Sequence, residues 1–313
     1  MREVPVPLVV DRDRLRTVMA RQGVVRAPLS GQWEITWRCN LRCVHCYTDP
    51  WNTPDRVSQE LTTAEVLRIL DELQEAGCLS LTLTGGDPLA RPDFREIYRA
   101  AAERGFLLTV FTNGTLITEG TIDLWRRYPP EKVEVTLNGI TASVYEAVTA
   151  VAGSYTYVMR GIRLVHEAGI PLVVKANAMT LNVGELLAIK AFVRTLSGVA
   201  FKMSEEIFER LDGSHDSCAL GVDPESLRAL EEADPELREG KRKKDEEEAR
   251  PAACGGGDTT FHIDPLGRLQ RCSRNRRGSY DLRRGTFREG FERFLPTFPC
   301  PNRPSAAAEE VSR

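Results

Sequence analysis

Short apolar segments alternate with longer amphipathic ones over the first two thirds of the 313-residue chain. The six strand-like segments are 32–37, 79–86, 107–114, 132–139, 170–179 and 199–204. Segments with helical spacing of apolar residues lie at 62–77, 91–105, 117–128, 154–168 and 183–196. This alternation predicts an α/β fold with a parallel sheet, closed or partly closed, and right-handed crossovers.

Unusual polar residues follow the predicted strands at the point where each strand ends. Three cysteines follow the first strand, and "TGGDP" (84–88) follows the second. The segment "TNGT" (112–115) follows the third strand, and "LNG" (137–139) follows the fourth. In parallel sheets the ligand lies at the carboxyl ends of the strands. The sequence therefore predicts one site at this edge of the sheet.

The three cysteines have the spacing Cys39-x3-Cys43-x2-Cys46. A [4Fe–4S] cluster normally takes four thiolates, so three leave one iron open, and an open metal position binds a substrate or cofactor. Zinc is the alternative, because Cys43 and Cys46 have zinc-like spacing and His45 lies between them. Cys39 fits that alternative poorly.

The segment "CNLRCVHCY" (39–47) resembles the signature of the radical S-adenosylmethionine (SAM) superfamily. "TGGDP" resembles the Gly-Gly-Glu-Pro motif of that family, with aspartate in place of glutamate, and "TNGT" and "VTLNG" stand where the family carries cofactor-contacting residues. The resemblance implies a partial (β/α)6 TIM-like barrel over residues 32–205. It also implies a [4Fe–4S] cluster that cleaves SAM to a 5′-deoxyadenosyl radical, which abstracts hydrogen from a substrate.

The resemblance implies roles for individual residues. Cys39, Cys43 and Cys46 would bind the cluster. The implied cofactor-binding residues are Tyr47, Gly85, Gly86, Asp87, Pro88, Thr112, Asn113, Thr136 and Asn138. Asp87 would anchor the amino group of SAM directly or by shaping the turn. Turn chemistry at strand ends explains Thr112, Asn113, Thr136 and Asn138 equally well.

A second cysteine set follows a highly charged segment. Cys254-x12-Gly267-x4-Cys272, with a hairpin signal at 259–272, resembles the start of the SPASM or Twitch auxiliary-cluster extension. Cys254, Cys272 and Cys300 are the candidate ligands; structural cysteines are the alternative. The extension is either of the one-cluster Twitch type or a truncated SPASM module.

The predicted layout assigns an N-terminal extension to residues 1–31 and a charged helical linker to 206–253. The auxiliary module spans 254–300 with a short helix at 283–295, and 301–313 form a disordered tail. Cys78 is expected to be a small buried residue, and Cys218 has no predicted role.

Composition excludes several classes of function. The net charge of −3 gives no bias toward nucleic acid. No segment approaches the ~18 apolar residues of a membrane span, and the N-terminus lacks a targeting signal, so we expect a cytoplasmic protein.

The extension implies a ribosomally made peptide as substrate. The alternatives are a small molecule, a tetrapyrrole or other cofactor precursor, or a sulfatase-type protein, and, outside catalysis, a zinc- or cluster-binding regulatory protein. The implied partners are an electron donor such as flavodoxin or ferredoxin and a separate leader-peptide-binding protein.

Overall fold

The computed structural model describes residues 26–48, 52–248, 255–274, 276 and 278–298. Most of the predicted N-terminal extension, the end of the predicted linker and the predicted tail lie outside these residues. Cys254 and Cys300 lie outside them as well.

A single mixed sheet organises the described part of the chain. Its strands are β1 (Ser30–Thr36), β2 (Ser80–Gly85), β3 (Leu107–Thr112), β4 (Lys132–Thr136), β5 (Leu172–Asn177), β6 (Ala200–Ser204), β7 (Thr260–Ile263), β8 (Arg268–Gln270) and β9 (Tyr280–Asp281). Their order is β6-β5-β4-β3-β2-β1-β7-β8-β9. The first six strands pair in parallel, as the alternation predicted, and β6 forms one edge.

Helices connect the parallel strands. They are α1 (Pro54–Val57), α2 (Thr63–Glu75), α3 (Phe94–Glu103), α4 (Glu119–Arg127), α5 (Ala142–Thr149), α6 (Ser154–Glu167) and α7 (Leu186–Arg194). Local signals set their starts: Thr62 and Glu65 form a capping box at α2, and Thr141 caps α5 with its side chain. The sequence did not predict α1 or α5.

The two faces of the sheet differ in chemistry. Alternate residues such as Trp33, Leu83, Val133 and Val174 are fully buried against the helices and form the core. The side chains between them point to the opposite face, because side chains alternate along a strand. We call this opposite face the inner face; Glu34, Thr84, Glu134, Thr136 and Lys175 lie on it.

The C-terminal hairpin continues the same sheet. β7 pairs in parallel with β1, and β8 returns antiparallel to β7 around the predicted turn, where Gly267 N donates to Asp264 O over 3.0 Å with φ of +81°. The rings of Phe261, Phe287 and Phe291 pack together beneath it, with centroids 4.8–6.1 Å apart. The helix predicted over 283–295 begins later, as α10 (Phe287–Glu289), and continues as a π turn to Phe294.

The predicted helical linker is helical only in its second half. Residues 205–215 form a loop and Asp216–Leu220 a 3-10 turn, before α8 (Pro224–Ala233) and α9 (Pro235–Glu248). Asp223 caps α8 by accepting from the backbone of Glu225 and Ser226. Among the described residues, no helix is long and apolar enough to span a membrane.

Candidate functional site

The three cysteines lie on the loop that follows β1, residues 37–48, which we call the cluster loop. Cys39, Cys43 and Cys46 are free thiols and half-buried. The loop turns tightly, since Cys46 N donates to Cys43 O over 3.0 Å. The end of α5 fixes it, because Val44 N and Arg42 N donate to the carbonyl oxygens of Val148 and Thr149. The unpredicted helix therefore positions the cysteines.

Glu60 holds the start of the cluster loop. Its Oε1 accepts hydrogen bonds from Thr36 Oγ1 over 2.8 Å and from Trp37 N over 2.6 Å. Its Oε2 pairs with the Arg38 guanidinium. Sequence reasoning missed Glu60, whose only signal is a carboxylate directly before the apolar Leu61 that leads into α2.

The glycine turn after β2 packs directly against the cluster loop. Gly86 N donates to Thr36 O over 2.9 Å and Asp87 N to Arg38 O over 2.8 Å. A Cβ on Gly86 would lie 2.5 Å from the carbonyl oxygens of Trp37 and Arg38, closer than real contacts allow. Gly85 has φ of +144°, a conformation that favours glycine. Both glycines permit this close approach of two backbones.

Asp87 joins the ends of β2 and β3. Its buried carboxylate accepts from Leu89 N over 2.9 Å, Thr112 Oγ1 over 2.7 Å and Asn113 N over 2.8 Å. Burial raises the pKa of Asp87 to about 6, although these three donors act to lower it. Pro88, also buried, begins the 3-10 turn Pro88–Ala90. These are the contacts of a residue that shapes the turn.

Two donors point at the first cysteine. Leu41 N lies 3.4 Å and Asn113 Nδ2 3.7 Å from Cys39 Sγ. Burial, with a further contribution from Asp87, nevertheless raises the pKa of Cys39 to about 12. Burial raises the pKa of Cys43 as well. Burial therefore disfavours a thiolate at Cys39 and at Cys43, and the positive charge of a bound metal would offset that cost.

The end of β4 meets the cluster loop from the other side. Asn138 Oδ1 accepts from Asn177 N over 2.8 Å, and Asn138 Nδ2 lies 3.5 Å from His45 Nε2. Burial lowers the pKa of His45 to about 4, so its imidazole is neutral. Thr136 is half-buried and pairs in register with Lys175 on β5.

A buried ionic cluster on the inner face joins the cluster loop to the C-terminal segment. Tyr47 Oη donates to Glu34 Oε1 over 2.7 Å, and Arg276 binds both oxygens of Glu34 over 2.6 and 3.0 Å. His262 Nε2 lies 3.5 Å from the same carboxylate. Burial raises the pKa of Glu34, but His262 and Arg276 outweigh it and hold that pKa well below its usual range. In the sequence, the only indication of this role is that Glu34 is an acidic residue inside the strand segment "QWEITW".

The loop after β6 also packs on the cluster loop. Leu211 N donates to Tyr47 O over 2.8 Å, and Arg210 Nη2 donates to Val44 O over 3.2 Å. Arg274 forms an ion pair with Glu206 and stacks on the Phe208 ring. The first residues of the predicted linker thus form part of the site.

Three cysteines on one loop form an all-thiolate donor set, and cysteine thiolates are the usual ligands of iron–sulfur clusters. Among the described residues, no group of three or more His, Cys, Asp or Glu side chains is arranged to hold one metal ion. Zinc needs its ligands to converge on one point, with sulfurs about 2.3 Å from the ion. A cubane binds each thiolate through a different iron, and hydrogen bonds to its sulfurs tune it.

The three other cysteines within the described ranges lie apart from one another in the sequence and the fold. Cys272 follows β8, is half-buried and lines a cavity of about 230 Å³ together with Gln32, Thr82, His262 and Arg271. Cys78 is buried, as expected, and Cys218 is exposed.

Comparison with known proteins identifies the family. Residues 33–188 match the family model described as the radical SAM superfamily. The chain belongs to the radical SAM superfamily, which confirms the resemblance.

Two curated relatives illustrate its range. Over 179 residues the chain is 30% identical to an AdoMet-dependent heme synthase of Methanosarcina barkeri, covering 57% of this chain and 51% of that protein. It is 26% identical over 253 residues to the antilisterial bacteriocin subtilosin biosynthesis protein AlbA of Bacillus subtilis, covering 79% and 55%. The chain thus spans about half the length of the curated relatives it matches.

The fold is shared with solved structures. Streptococcus suis SuiB, crystallised with its precursor peptide SuiA, superposes with a TM-score of 0.67 at 14% identity. The match covers 93% of this chain and 72% of SuiB. It confirms the predicted α/β partial barrel with a C-terminal hairpin region.

Proposed function

We propose that this chain is a radical SAM enzyme that cleaves S-adenosylmethionine reductively and acts on a ribosomally made peptide. The observation that carries the proposal is the arrangement of three free thiols on one loop, held from β2 by a glycine turn. Bound together, a reduced [4Fe–4S] cluster and SAM supply one-electron chemistry that removes a hydrogen atom from an unactivated C–H bond.

Cys39, Cys43 and Cys46 would hold the cluster in this proposal. Glu60 and Gly86 keep the loop against β2, and Asn113 supplies a donor to Cys39. Asp87 acts through the turn, since its carboxylate already serves three donors.

The other proposed cofactor residues lie at the same edge of the sheet: Tyr47, Gly85, Pro88, Thr112, Thr136 and Asn138. Their role is to orient the cofactor and exclude water around the reacting groups.

The peptide substrate is supported by the descriptions of two similar proteins. One is named for subtilosin biosynthesis, and SuiB was solved with a precursor peptide. A tetrapyrrole is the second candidate, because the heme synthase relative is 30% identical to this chain. We also propose a flavodoxin or ferredoxin as electron donor, and a separate protein that binds the leader of the peptide.

An auxiliary cluster is proposed at Cys254, Cys272 and Cys300, within an extension spanning 254–300 beside a core of 32–205. The support is that Cys272 borders a cavity lined by the polar side chains of Gln32, Thr82 and His262. Iron counting after anaerobic reconstitution tests it. About eight irons per chain support two cubanes, whereas about four mean that only the first site is filled.

Detection of 5′-deoxyadenosine tests the central proposal. The reconstituted protein is reduced with dithionite and supplied with SAM, and we expect 5′-deoxyadenosine to form. Cys43→Ala should abolish it, while Cys218→Ala, at an exposed cysteine, should not. No product from the wild type, or full activity of Cys43→Ala, would contradict the proposal.

A further inference from the structure

Three lysines converge on one buried carboxylate on the inner face of the sheet. Glu134, in the middle of β4, lies 3.0 Å from Lys132 Nζ, 3.3 Å from Lys175 Nζ and 3.1 Å from Lys202 Nζ. The Glu134 side chain is 3% exposed, whereas the lysine side chains are 33%, 24% and 53% exposed. We call the three residues Lys132, Lys175 and Lys202 the lysine cluster.

The charges of this group do not balance. Three ammonium groups face a single carboxylate, which leaves two positive charges unmatched within the group. Burial lowers the pKa of Lys175, Glu134 raises it, and Lys202 and Lys132 lower it further.

An ion-pair network that only stabilised the sheet would gain from equal numbers of charges, because like charges at short range repel one another. The excess instead suits a second anion. Lys175 Nζ also lies 3.4 Å from the centre of the Phe111 ring on β3, which fixes this ammonium group over an aromatic face. Amino groups held in place on a concave surface bind an anion at lower entropic cost.

The lysine cluster lies beside the proposed cofactor residues. Thr136 pairs in register with Lys175, and Lys175 pairs with Lys202. Glu134 precedes Thr136 by two residues, roughly 7 Å along the strand. An anion on the lysine cluster would therefore lie deeper on the inner face than the strand ends that carry the cysteines.

We propose that the lysine cluster binds a carboxylate group of the substrate. The inference rests on the proposed radical SAM function and specifies its substrate as an anionic, carboxylate-bearing molecule. An acidic peptide and a tetrapyrrole with carboxylate side chains share this chemistry.

Equilibrium binding to the reconstituted full-length protein with SAM, without reductant, tests the proposal. One arm compares two N-acetylated peptides. The first contains glutamate, and in the second glutamine replaces glutamate and the C-terminus is amidated. The second arm uses coproporphyrin III against its neutral tetra-amide. The arm that shows carboxylate-dependent binding identifies the source of the carboxylate.

Variants that remove a positive charge and a variant that removes the negative charge should change probe affinity in opposite directions. A purely structural role of these residues would not produce that pattern. We expect Lys202→Met and Lys175→Met to weaken binding of the acidic probe about tenfold, the scale of one charge-assisted contact. Glu134→Gln, which keeps the shape and removes the competing anion, should strengthen binding. Lys243→Met, at an exposed lysine on α9, is the matched control and should leave affinity unchanged. Added salt should weaken wild-type binding.

The proposal is overturned if neither acidic probe binds the wild type better than its neutral counterpart. It is also overturned if Lys202→Met and Lys175→Met bind like Lys243→Met, or if Glu134→Gln weakens binding. Lys202 is half-exposed, so its variant should fold even if Lys175→Met does not. Failure of SAM cleavage by the wild type would count against the proposed function and not against this binding result.

Discussion

Glu34 receives contacts from three parts of the chain that are distant in sequence. Tyr47 comes from the cluster loop, His262 from β7, and Arg276 from the segment between β8 and β9. A carboxylate buried this deeply is tolerated only when it is paired and hydrogen-bonded. Its partners therefore couple the order of the C-terminal segment to the order of the loop that carries the cysteines.

Arg276→Met should destabilise the iron-free protein by about 3–5 kcal/mol, because it leaves a buried charge without its main partner. The double variant Glu34→Gln/Arg276→Met should recover much of this loss, since it removes both charges. Urea unfolding monitored by circular dichroism measures both effects. Equal stability of the single and double variants would show that the pair is not coupled.

Low pH should lower the stability of the wild-type protein through protonation of Glu34. The pKa of Glu34 is lower in the folded protein than its ordinary value near 4.5. Its contribution to stability is therefore complete above about pH 4.5 and is lost as the pH falls below that value. The double variant should show a smaller loss between pH 5 and pH 3 in the same unfolding experiment, and an unchanged loss would contradict this assignment.

Gly86→Ala tests the contact between the glycine turn and the cluster loop. The added Cβ would lie 2.5 Å from two carbonyl oxygens, and such overpacking costs about 1–3 kcal/mol. We expect lower stability and less iron per chain after reconstitution. Gly240→Ala in α9 is the control, since no atom lies within 4 Å of its added Cβ, and it should stabilise by roughly 0.5–1 kcal/mol. Normal iron content in Gly86→Ala would contradict the prediction.

The sequence could predict the candidate residues at the strand ends because each stands next to a strong local pattern. The glycines of "TGGDP" and the asparagine of "TNGT" follow apolar strands and stand in turns. Glu60 and Arg276 carry no such signal, since their roles come from partners 23 and 242 residues away. Local patterns indicate where a site lies but not which distant side chains hold it in place.

Among the elements, the loop that follows β6 is the one whose role differs most from its sequence pattern. The sequence assigned it to a charged helical linker, yet Arg210 and Leu211 donate hydrogen bonds to the cluster loop. The sequence pattern also missed helix α5, because this helix is only eight residues long and begins soon after the polar end of β4. Its contribution is made by backbone carbonyls, which leave no trace in residue type.

Arg210→Ala should weaken the packing of the loop after β6 on the cluster loop, because it removes the hydrogen bond to Val44 O. Loss of one hydrogen bond costs about 1 kcal/mol, which raises the open population roughly fivefold. The reconstituted cluster should therefore bleach faster in air, as measured by the decay of its visible absorbance. Arg126→Ala, at an exposed arginine on α4, is the control. Equal bleaching rates in the two variants would show that the loop does not protect the cluster.

At the scale of the whole molecule, the hairpin and the barrel strands share one sheet and one core. Phe261, Phe287 and Phe291 belong to the same buried cluster as Trp33 on β1. The sequence predicted the hairpin but not its parallel pairing with β1, because strand order depends on contacts across 230 residues. We therefore expect the described strands to unfold together.

Phe291→Ala should lower the free energy of unfolding by about 3–5 kcal/mol. It should shift the unfolding transition of all the described strands to lower urea concentration. Tryptophan fluorescence, to which the buried Trp33 and Trp37 contribute, and circular dichroism should give coincident urea curves in both proteins. Leu181→Ala, at an exposed leucine, should change stability by less than about 0.5 kcal/mol. Two separate transitions would show that the hairpin folds independently of the barrel.

The pairing of β1 with β7 also has a consequence for biosynthesis. β2, the first neighbour of β1, begins at residue 80, whereas β7 begins at residue 260. At about 5–20 residues per second, the ribosome needs roughly 10–40 s to cross that interval. Until then the nascent chain exposes the other edge of β1, a template for pairing with foreign strands. Chaperone protection during translation is therefore most important in the window between the synthesis of β2 and that of β7.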